Sequence, residues 1–167
     1  MINEPLSYEN PIISLLFYFS LAYFQKLLYL CTLNVYWSNM SETKSTITGL
    51  AKGIFKDRGS KFLAFAEPIA NEDEAKARIA WYKKKYHDAR HVCYAYRLGE
   101  NLWRTKDDGE PHGTAGMPIL RSIDAQKLDN ILVVVVRYFD GTLLGTGGLM
   151  VAYREATKDA LKNAEIV

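Results

Sequence analysis

The chain of 167 residues lacks the features that identify several classes of protein. Its two cysteines, Cys31 and Cys93, are too far apart for a CxxC or zinc-finger spacing, so neither a disulfide framework nor a structural zinc site is predicted. The formal net charge is +2, which is too small to indicate a nucleic-acid or membrane partner by itself. Sparse cysteine is typical of a reducing compartment, and we expect a cytoplasmic protein.

The sequence also lacks the motifs that mark common catalytic and nucleotide-binding sites. There is no H-E-x-x-H, no EF-hand loop and no nucleophile elbow, and the glycine-rich stretch near the C-terminus completes neither a P-loop nor G-x-G-x-x-G. His91 and Cys93 would share one face of a strand, but two ligands do not make a zinc site. We therefore predict no catalytic residue, no metal and no cofactor, and favour a protein without enzymatic activity.

Residues 11–37 form a long apolar stretch in which Lys26 is the single charged residue. The stretch is long enough to span a membrane, although Gln25 and Lys26 near its middle would be costly there. The first ten residues contain acidic side chains and no Lys or Arg, which argues against a secretory signal. We interpret residues 1–39 as an extension produced by a wrongly assigned translation start, with a membrane anchor and an extra packing helix as alternatives.

Residues 40–167 have the pattern of one α+β domain. Apolar residues cluster on both sides of the Arg58-Gly59 turn, which predicts paired strands over residues 46–55 and 60–69. Alternation in "HVCYAYRLG" predicts a strand that turns into a second short strand, "NLWRTK". The run "ILVVVV" is apolar on both faces and is typical of a strand in the middle of a covered sheet.

Three helices are predicted around these strands. Asn71 opens the first helix, with Glu74 as its capping-box partner. A second helix is predicted near residues 117–124, and a last one over about residues 148–163, with Thr146 as its N-cap. Apolar or small residues recur at helical spacing in the first and last helices, namely Ala75, Ile79, Tyr82 and Tyr86, and Leu149, Tyr153, Ala156 and Ala160.

Two loops carry the residues that could hold a ligand. The first, "DDGEPHGTAG" at residues 107–116, combines turn formers with carboxylates that could perturb one another or ligate a hard cation, although aspartates in turns usually bond their own backbone. The second is "GTLLGTGGL", where Gly147 and Gly148 leave N–H groups open at a helix start, an arrangement that attracts anions. Arg137 could add a bidentate contact to such an anion. The alternative is a plain strand-to-helix turn.

Three segments, in this order and spacing, resemble the IMPACT family, called YigZ-type in bacteria. They are "HVCYAYRLG", "DDGEPHGTAGMPIL" and "NILVVVVRYFDGTLLGTGGLMVAYREA", and the similarity covers roughly residues 47–164. The resemblance implies an Impact N-terminal domain with a fold like the second domain of ribosomal protein S5. We accordingly expect a mostly antiparallel sheet with helices packed on one face.

The resemblance also implies a function linked to translation or stress. Eukaryotic members restrain a starvation response by competing for the activator of a kinase, and the S5-like fold implies binding of RNA, a nucleotide or another phosphorylated ligand. A protein-interaction regulator without a nucleic-acid ligand is the alternative, and a small hydrolase that uses the acidic loop is a third. The ligand-binding surface implied by the family consists of Asp107, Asp108, Gly109, Glu110, Gly113, Thr114, Gly116, Arg137, Gly141, Gly145, Thr146, Gly147 and Gly148.

The chain departs from the family pattern at three positions near the two loops. Met117 and Leu143 stand where the family often has Lys, and Asp140 stands where it commonly has Gly. Two basic side chains are therefore missing from the loops that would meet a phosphate, which weakens the nucleic-acid interpretation for this chain. If Asp140 pairs with Arg137 or Lys106, Arg137 is less free for a ligand. Bacterial relatives usually continue into a ferredoxin-like domain after the last helix, so we expect a single-domain variant or a truncated chain.

Overall fold

The central element is a five-stranded sheet whose middle strand is the last one in the sequence. The computed structural model describes residues 44–167, together with Gln25 and Lys26. The strands are β1 (Ala51–Asp57), β2 (Ser60–Pro68), β3 (His91–Leu98), β4 (Leu102–Lys106) and β5 (Ile131–Tyr138), and they lie in the order β1-β2-β5-β3-β4. All four pairings between neighbours are antiparallel, which confirms the predicted α+β class and sheet type.

Three helices complete this part of the chain: α1 (Glu72–Lys85), α2 (Gly116–Ala125) and α3 (Gly145–Lys162). The predicted capping box of α1 is confirmed, because Asn71 Oδ1 accepts a hydrogen bond from Glu74 N at 2.8 Å. Glu74 Oε2 reaches back to accept one from Ala70 N, also at 2.8 Å. The helices predicted near residues 117–124 and 148–163 are confirmed, and each begins earlier than expected.

The helices cover both faces of the sheet, so the expectation that they pack on one face is wrong. Ile131, Val133 and Val135 of β5 pack in one buried cluster with residues of α2 and α3. Leu132, Val134 and Val136 pack in a second cluster with Ala75, Ile79 and Tyr82 of α1. The reason lies in β5 itself: a central strand that is apolar on both faces requires cover on each side.

The first predicted strand is shorter than expected. Its ladder begins at Ala51, while Ser45 and Ile47 form isolated bridges to Leu128 and Ile166. Helix α3 lies so close to β1 that a Cβ on Gly53 would be 2.2 Å from Ala160 N. At this position only glycine fits, so α3 is held against the sheet at a fixed distance.

The apolar stretch 11–37 lies outside the described residues, apart from Gln25 and Lys26. Among the residues that are described, no helix combines the length and the apolar character needed to cross a membrane. The interpretations of residues 1–39 therefore stay predictions.

Candidate functional site

The acidic loop connects β4 to α2, and its first carboxylate holds the start of that helix. Asp107 Oδ1 accepts hydrogen bonds from Ala115 N at 3.1 Å and Gly116 N at 2.8 Å, and Oδ2 accepts one from Gly113 N at 2.8 Å. Burial alone would raise the pKa of Asp107, but the backbone N–H groups of Gly113, Gly116 and Ala115 outweigh it and hold the pKa below its usual value. Asp107 is thus an ionised cap for α2.

The second carboxylate ties the loop to β3 and α1. Asp108 Oδ2 accepts a hydrogen bond from Val92 N, and Oδ1 accepts one from Lys83 Nζ, both at 2.9 Å. The Asp108 carbonyl accepts one from His91 Nδ1 at 2.8 Å, which places the proton of a neutral His91 on Nδ1. Burial would raise the pKa of Asp108, but Lys83 and the Val92 amide lower it below its ordinary value. Both aspartates therefore stabilise the loop itself.

The glycines and threonine of the acidic loop set its shape. A Cβ on Gly116 would lie 2.8 Å from Thr105 Cβ and 2.9 Å from Lys106 N, so this helix start can approach β4 only as glycine. Thr114 is buried and donates from Oγ1 to the Pro111 carbonyl at 2.7 Å. Four predicted site glycines have positive φ: Gly109 (90°), Gly113 (75°), Gly141 (82°) and Gly145 (70°).

The third carboxylate, Glu110, forms a buried ion pair with Arg137 at the end of β5. Arg137 Nη1 donates to Glu110 Oε1 at 2.7 Å, and the two side chains are 5% and 3% exposed. Tyr153 of α3 donates its hydroxyl to the same oxygen at 2.8 Å, and His91 Nε2 lies 3.8 Å from it. Arg137 Nη2 also lies 3.3 Å from Ser60 Oγ. The pair joins β2, β5, α3 and the acidic loop into one network.

Arg137 is further enclosed by aromatic rings. Its guanidinium carbon lies 5.4 Å from the ring centroid of Phe62 and 5.1 Å from that of Phe139. Its Nε has no hydrogen-bond partner among the described residues, although the atom is buried. An unpartnered buried N–H costs about 1–3 kcal/mol, so this position is typical of a site shaped for something other than stability alone.

Cys93 extends the network toward the core. Its Sγ lies 2.9 Å from the Asp107 carbonyl and 3.3 Å from the Tyr153 hydroxyl. Burial raises the pKa of the Cys93 thiol well above its usual range, with the carboxylates of Glu110, Asp108 and Asp107 adding to the effect. Burial likewise raises the pKa of Tyr153. Both groups stay protonated near neutral pH, and Cys93 is not an activated nucleophile.

The glycine-rich segment leaves the start of α3 open. The N-cap is Leu144, whose side chain makes no capping hydrogen bond, so the prediction of Thr146 as N-cap is wrong. Leu144 is buried in the core beneath α2 and α3, and this packing sets the helix start, while Thr146 is exposed in the first turn. That turn has no acidic residue, and among the described residues no side chain accepts from its N–H groups. A Cβ on Gly147 would meet nothing within 4 Å, so the backbone is accessible.

A pocket of about 280 Å³ brings the two loops together. Of the thirteen predicted site residues, Glu110, Arg137, Gly145 and Thr146 line it, whereas Asp107, Asp108, Gly113 and Gly116 build the acidic loop behind it. Sequence reasoning did not predict the exposed Arg90, which makes no ion pair with any described residue. The full lining consists of Arg90, His91, Glu110, Pro111, Arg137, Phe139, Leu143, Leu144, Gly145, Thr146 and Leu149.

The three departures from the family pattern have different positions. Leu143 is 81% exposed at the pocket, and Met117 packs half-buried against the core. Asp140 is exposed, and its Oδ2 would lie 2.8 Å from a Cβ on Gly59. Among the described residues Asp140 pairs with neither Arg137 nor Lys106, and the partner of Arg137 is Glu110.

The described residues 44–167 contain no candidate metal site. No group of three or more His, Cys, Asp or Glu side chains in that range could hold a metal ion. The aspartates of the acidic loop are occupied by backbone N–H groups and Lys83 instead.

Comparison with other proteins identifies relatives for most of this domain. The chain is 49% identical over 105 residues to an IMPACT family member of Thermus thermophilus, covering 63% of this chain and 56% of that protein. It is 38% identical over 107 residues to the IMPACT family member YigZ of Escherichia coli, covering 62% and 52%. The chain thus spans about half the length of these curated relatives.

A solved structure agrees with the fold. A crystal structure of a hypothetical protein is 32% identical with a TM-score of 0.72, covering 74% of this chain and 62% of that one. A structure of the two-domain translational regulator Yih1 is 27% identical with a TM-score of 0.43, covering 73% and 48%. The Impact N-terminal domain model matches residues 58–161, and the chain belongs to this family.

Proposed function

We propose that the chain is a non-enzymatic, translation-linked regulator that binds a phosphorylated ligand, such as RNA or a nucleotide, in the pocket at the start of α3. The observation that carries the proposal is the open first turn of α3, whose N–H groups no described side chain caps. Helix starts of this kind favour anions, since the amides and the helix dipole act in the same direction. Yih1, which the chain resembles, is a translational regulator.

Arg90 supports an anionic ligand at this position. Its side chain is exposed, lines the pocket and makes no ion pair with a described residue. Arg137 lines the same pocket, but its charge is compensated by Glu110 at 2.7 Å. A phosphate would therefore contact the α3 amides and Arg90, while Arg137 holds the acidic loop in place.

The state of the acidic side chains favours binding over hydrolysis. The pKa values of Asp107 and Asp108 are lowered, so neither is suited to donate or take up protons near neutral pH. Both carboxylates are also held by donors of the protein itself. The hydrolase hypothesis would thus rest on Glu110 alone.

Fluorescence anisotropy of a labelled single-stranded RNA, at two salt concentrations, tests the proposal on the full chain. We expect affinity to fall with salt, and Arg90→Ala to weaken binding several-fold. Arg121→Ala is the matched control, because Arg121 is an exposed arginine on α2 that does not line the pocket. Equal affinities of the wild type and Arg90→Ala would contradict the proposal. Arg137→Ala is unsuitable because it would leave Glu110 buried without its partner.

Exposed apolar side chains at the pocket favour a protein partner as the second candidate. Leu143 is 81% exposed and Phe139 is 38% exposed, and both line the pocket. Apolar groups exposed together are typical of protein contacts. This candidate predicts that a specific protein partner co-purifies with the chain, that its binding is insensitive to salt, and that Leu143→Asp abolishes the binding. Retention of the same partner by Leu143→Asp would count against it.

A further inference from the structure

The Glu110 carboxylate has one fully engaged oxygen and one without a partner. Oε1 accepts from Arg137 at 2.7 Å and from Tyr153 at 2.8 Å. Oε2 has no hydrogen-bond partner among the described residues, although the side chain is only 3% exposed. Oε2 is not fully enclosed by protein atoms, and Glu110 lines the pocket. The pocket therefore contains a fixed, charged hydrogen-bond acceptor at Oε2.

The same pocket contains donors and an apolar wall. The donors are the open amides at the start of α3 and the Arg90 guanidinium. The apolar wall consists of Phe139, Leu143 and Leu149. A ligand that uses all of these surfaces needs an anion, a flat or apolar part, and a hydroxyl or amine that donates to Glu110.

The position of Tyr153 limits the distance between the acceptor and the amides. At about 1.5 Å rise per residue, Tyr153 lies about 12 Å along the helix axis from Gly145. Its side chain points back toward the start of α3 and contacts Glu110. Glu110 is therefore less than about 12 Å along the helix from the amides, which is short enough for one mononucleotide to bridge.

We infer that the pocket takes a single ribonucleotide, with the phosphate at the start of α3, the base against Phe139 and Leu143, and the ribose 2′-hydroxyl donating to Glu110 Oε2. A carboxylate that accepts from a ribose hydroxyl is a recurring device in nucleotide recognition. The volume of about 280 Å³ lies just below the usual range of small-molecule pockets, about 300–1,000 Å³, so a single nucleotide suits it better than a larger ligand. The inference rests on the proposed function, and narrows the ligand to a ribonucleoside monophosphate or the terminal residue of an RNA.

Isothermal titration calorimetry of the full chain with AMP and dAMP tests the inference without any mutation. We expect AMP to bind about tenfold tighter than dAMP, since the lost hydroxyl leaves a buried charged acceptor without a donor. Inorganic phosphate should bind more weakly than either, because it lacks the base. Equal affinities for AMP and dAMP would overturn the ribose contact.

Two variants separate this inference from the proposed function. Glu110→Gln, used if circular dichroism shows it folded, should remove the preference for AMP while retaining phosphate binding. Arg90→Ala should weaken AMP and dAMP by the same factor. If AMP and dAMP bind equally and both depend on Arg90, the inference fails and the phosphate site stands. If neither nucleotide binds, the inference fails, and the RNA anisotropy experiment decides the proposed function.

Discussion

The starts of α2 and α3 differ in one respect that separates scaffold from candidate binding surface. Asp107 satisfies the amides of Ala115 and Gly116 at the start of α2. At the start of α3 no described side chain accepts from Gly145, Thr146 or Gly147. The loop with the most charge is therefore the one whose hydrogen bonds are already made within the protein. The loop with almost no charge is the one with donors to spare.

The comparison teaches that an acidic motif need not be an acidic binding site. Each of the three carboxylates at residues 107, 108 and 110 accepts from a donor of another element. Lowered pKa values for Asp107 and Asp108 follow from those donors. The three carboxylates link the acidic loop to β3, β5, α2 and α3. These links place the open start of α3 and Arg90 in the same pocket.

Glu110→Ala should have the largest effect, because it breaks the acidic loop at its buried ion pair. The change leaves the Arg137 guanidinium, whose side chain is 5% exposed, without its counter-charge. Removal of one partner of a buried pair costs about 3–5 kcal/mol. We expect a fall of that size in the free energy of unfolding, measured by urea denaturation.

The double variant Glu110→Leu with Arg137→Met is the control for that prediction. Replacement of both partners by apolar side chains removes the unpaired charge, so most of the lost stability should return. If the double variant were no more stable than Glu110→Ala, then the loss would come from the Tyr153 hydrogen bond or from packing.

Asp107→Asn should have the next largest effect, since it weakens the cap of α2. Asparagine keeps one oxygen acceptor but loses the charge and the second acceptor, so the cost in the free energy of unfolding at neutral pH should fall within the range for a lost cap, about 0.5–2 kcal/mol. The pKa of Asp107 is lowered in the folded state, so its contribution is present above the unfolded pKa of about 3.9 and is lost as the pH falls through the folded value.

The difference between wild type and Asp107→Asn should therefore be largest near neutral pH and should shrink below about pH 4. Thermal unfolding followed by circular dichroism across this pH range measures the difference. A difference that stays constant down to low pH would show that shape, and not charge, accounts for the cap.

Local patterns in the sequence were sufficient to predict the helices and strands. The capping box of Asn71 and Glu74 and the doubly apolar β5 depend on neighbouring residues, and both predictions are confirmed. The same β5 pattern indicated cover on both faces, which the expected one-sided packing overlooked. The spacing of apolar residues along a strand or helix shows which of its faces are buried.

The contacts of the candidate site were harder to predict because they join distant residues. Asp107 caps a helix that begins at Gly116, and Glu110 pairs with Arg137 on another strand. Tyr153 is part of a helical stripe of buried residues, so its hydroxyl bond to Glu110 leaves no trace in the periodicity. The predicted Thr146 cap failed because burial of Leu144 decides where α3 starts.

Gly147→Asp should have the smallest effect on stability and should make the two helix starts alike. A Cβ at this position meets nothing within 4 Å, so the side chain fits, and an acid in the first turn stabilises a helix by about 0.3–1 kcal/mol. The new carboxylate would occupy the amides that we assign to the phosphate. We expect a slightly higher midpoint of thermal unfolding together with a large loss of RNA and AMP affinity.

Gly147→Ala is the matched control, because it should stabilise α3 by a similar amount without adding charge and should retain binding. Weakened binding in Gly147→Ala would mean that the ligand needs the space above the backbone, whereas undiminished binding in Gly147→Asp would place the anion elsewhere.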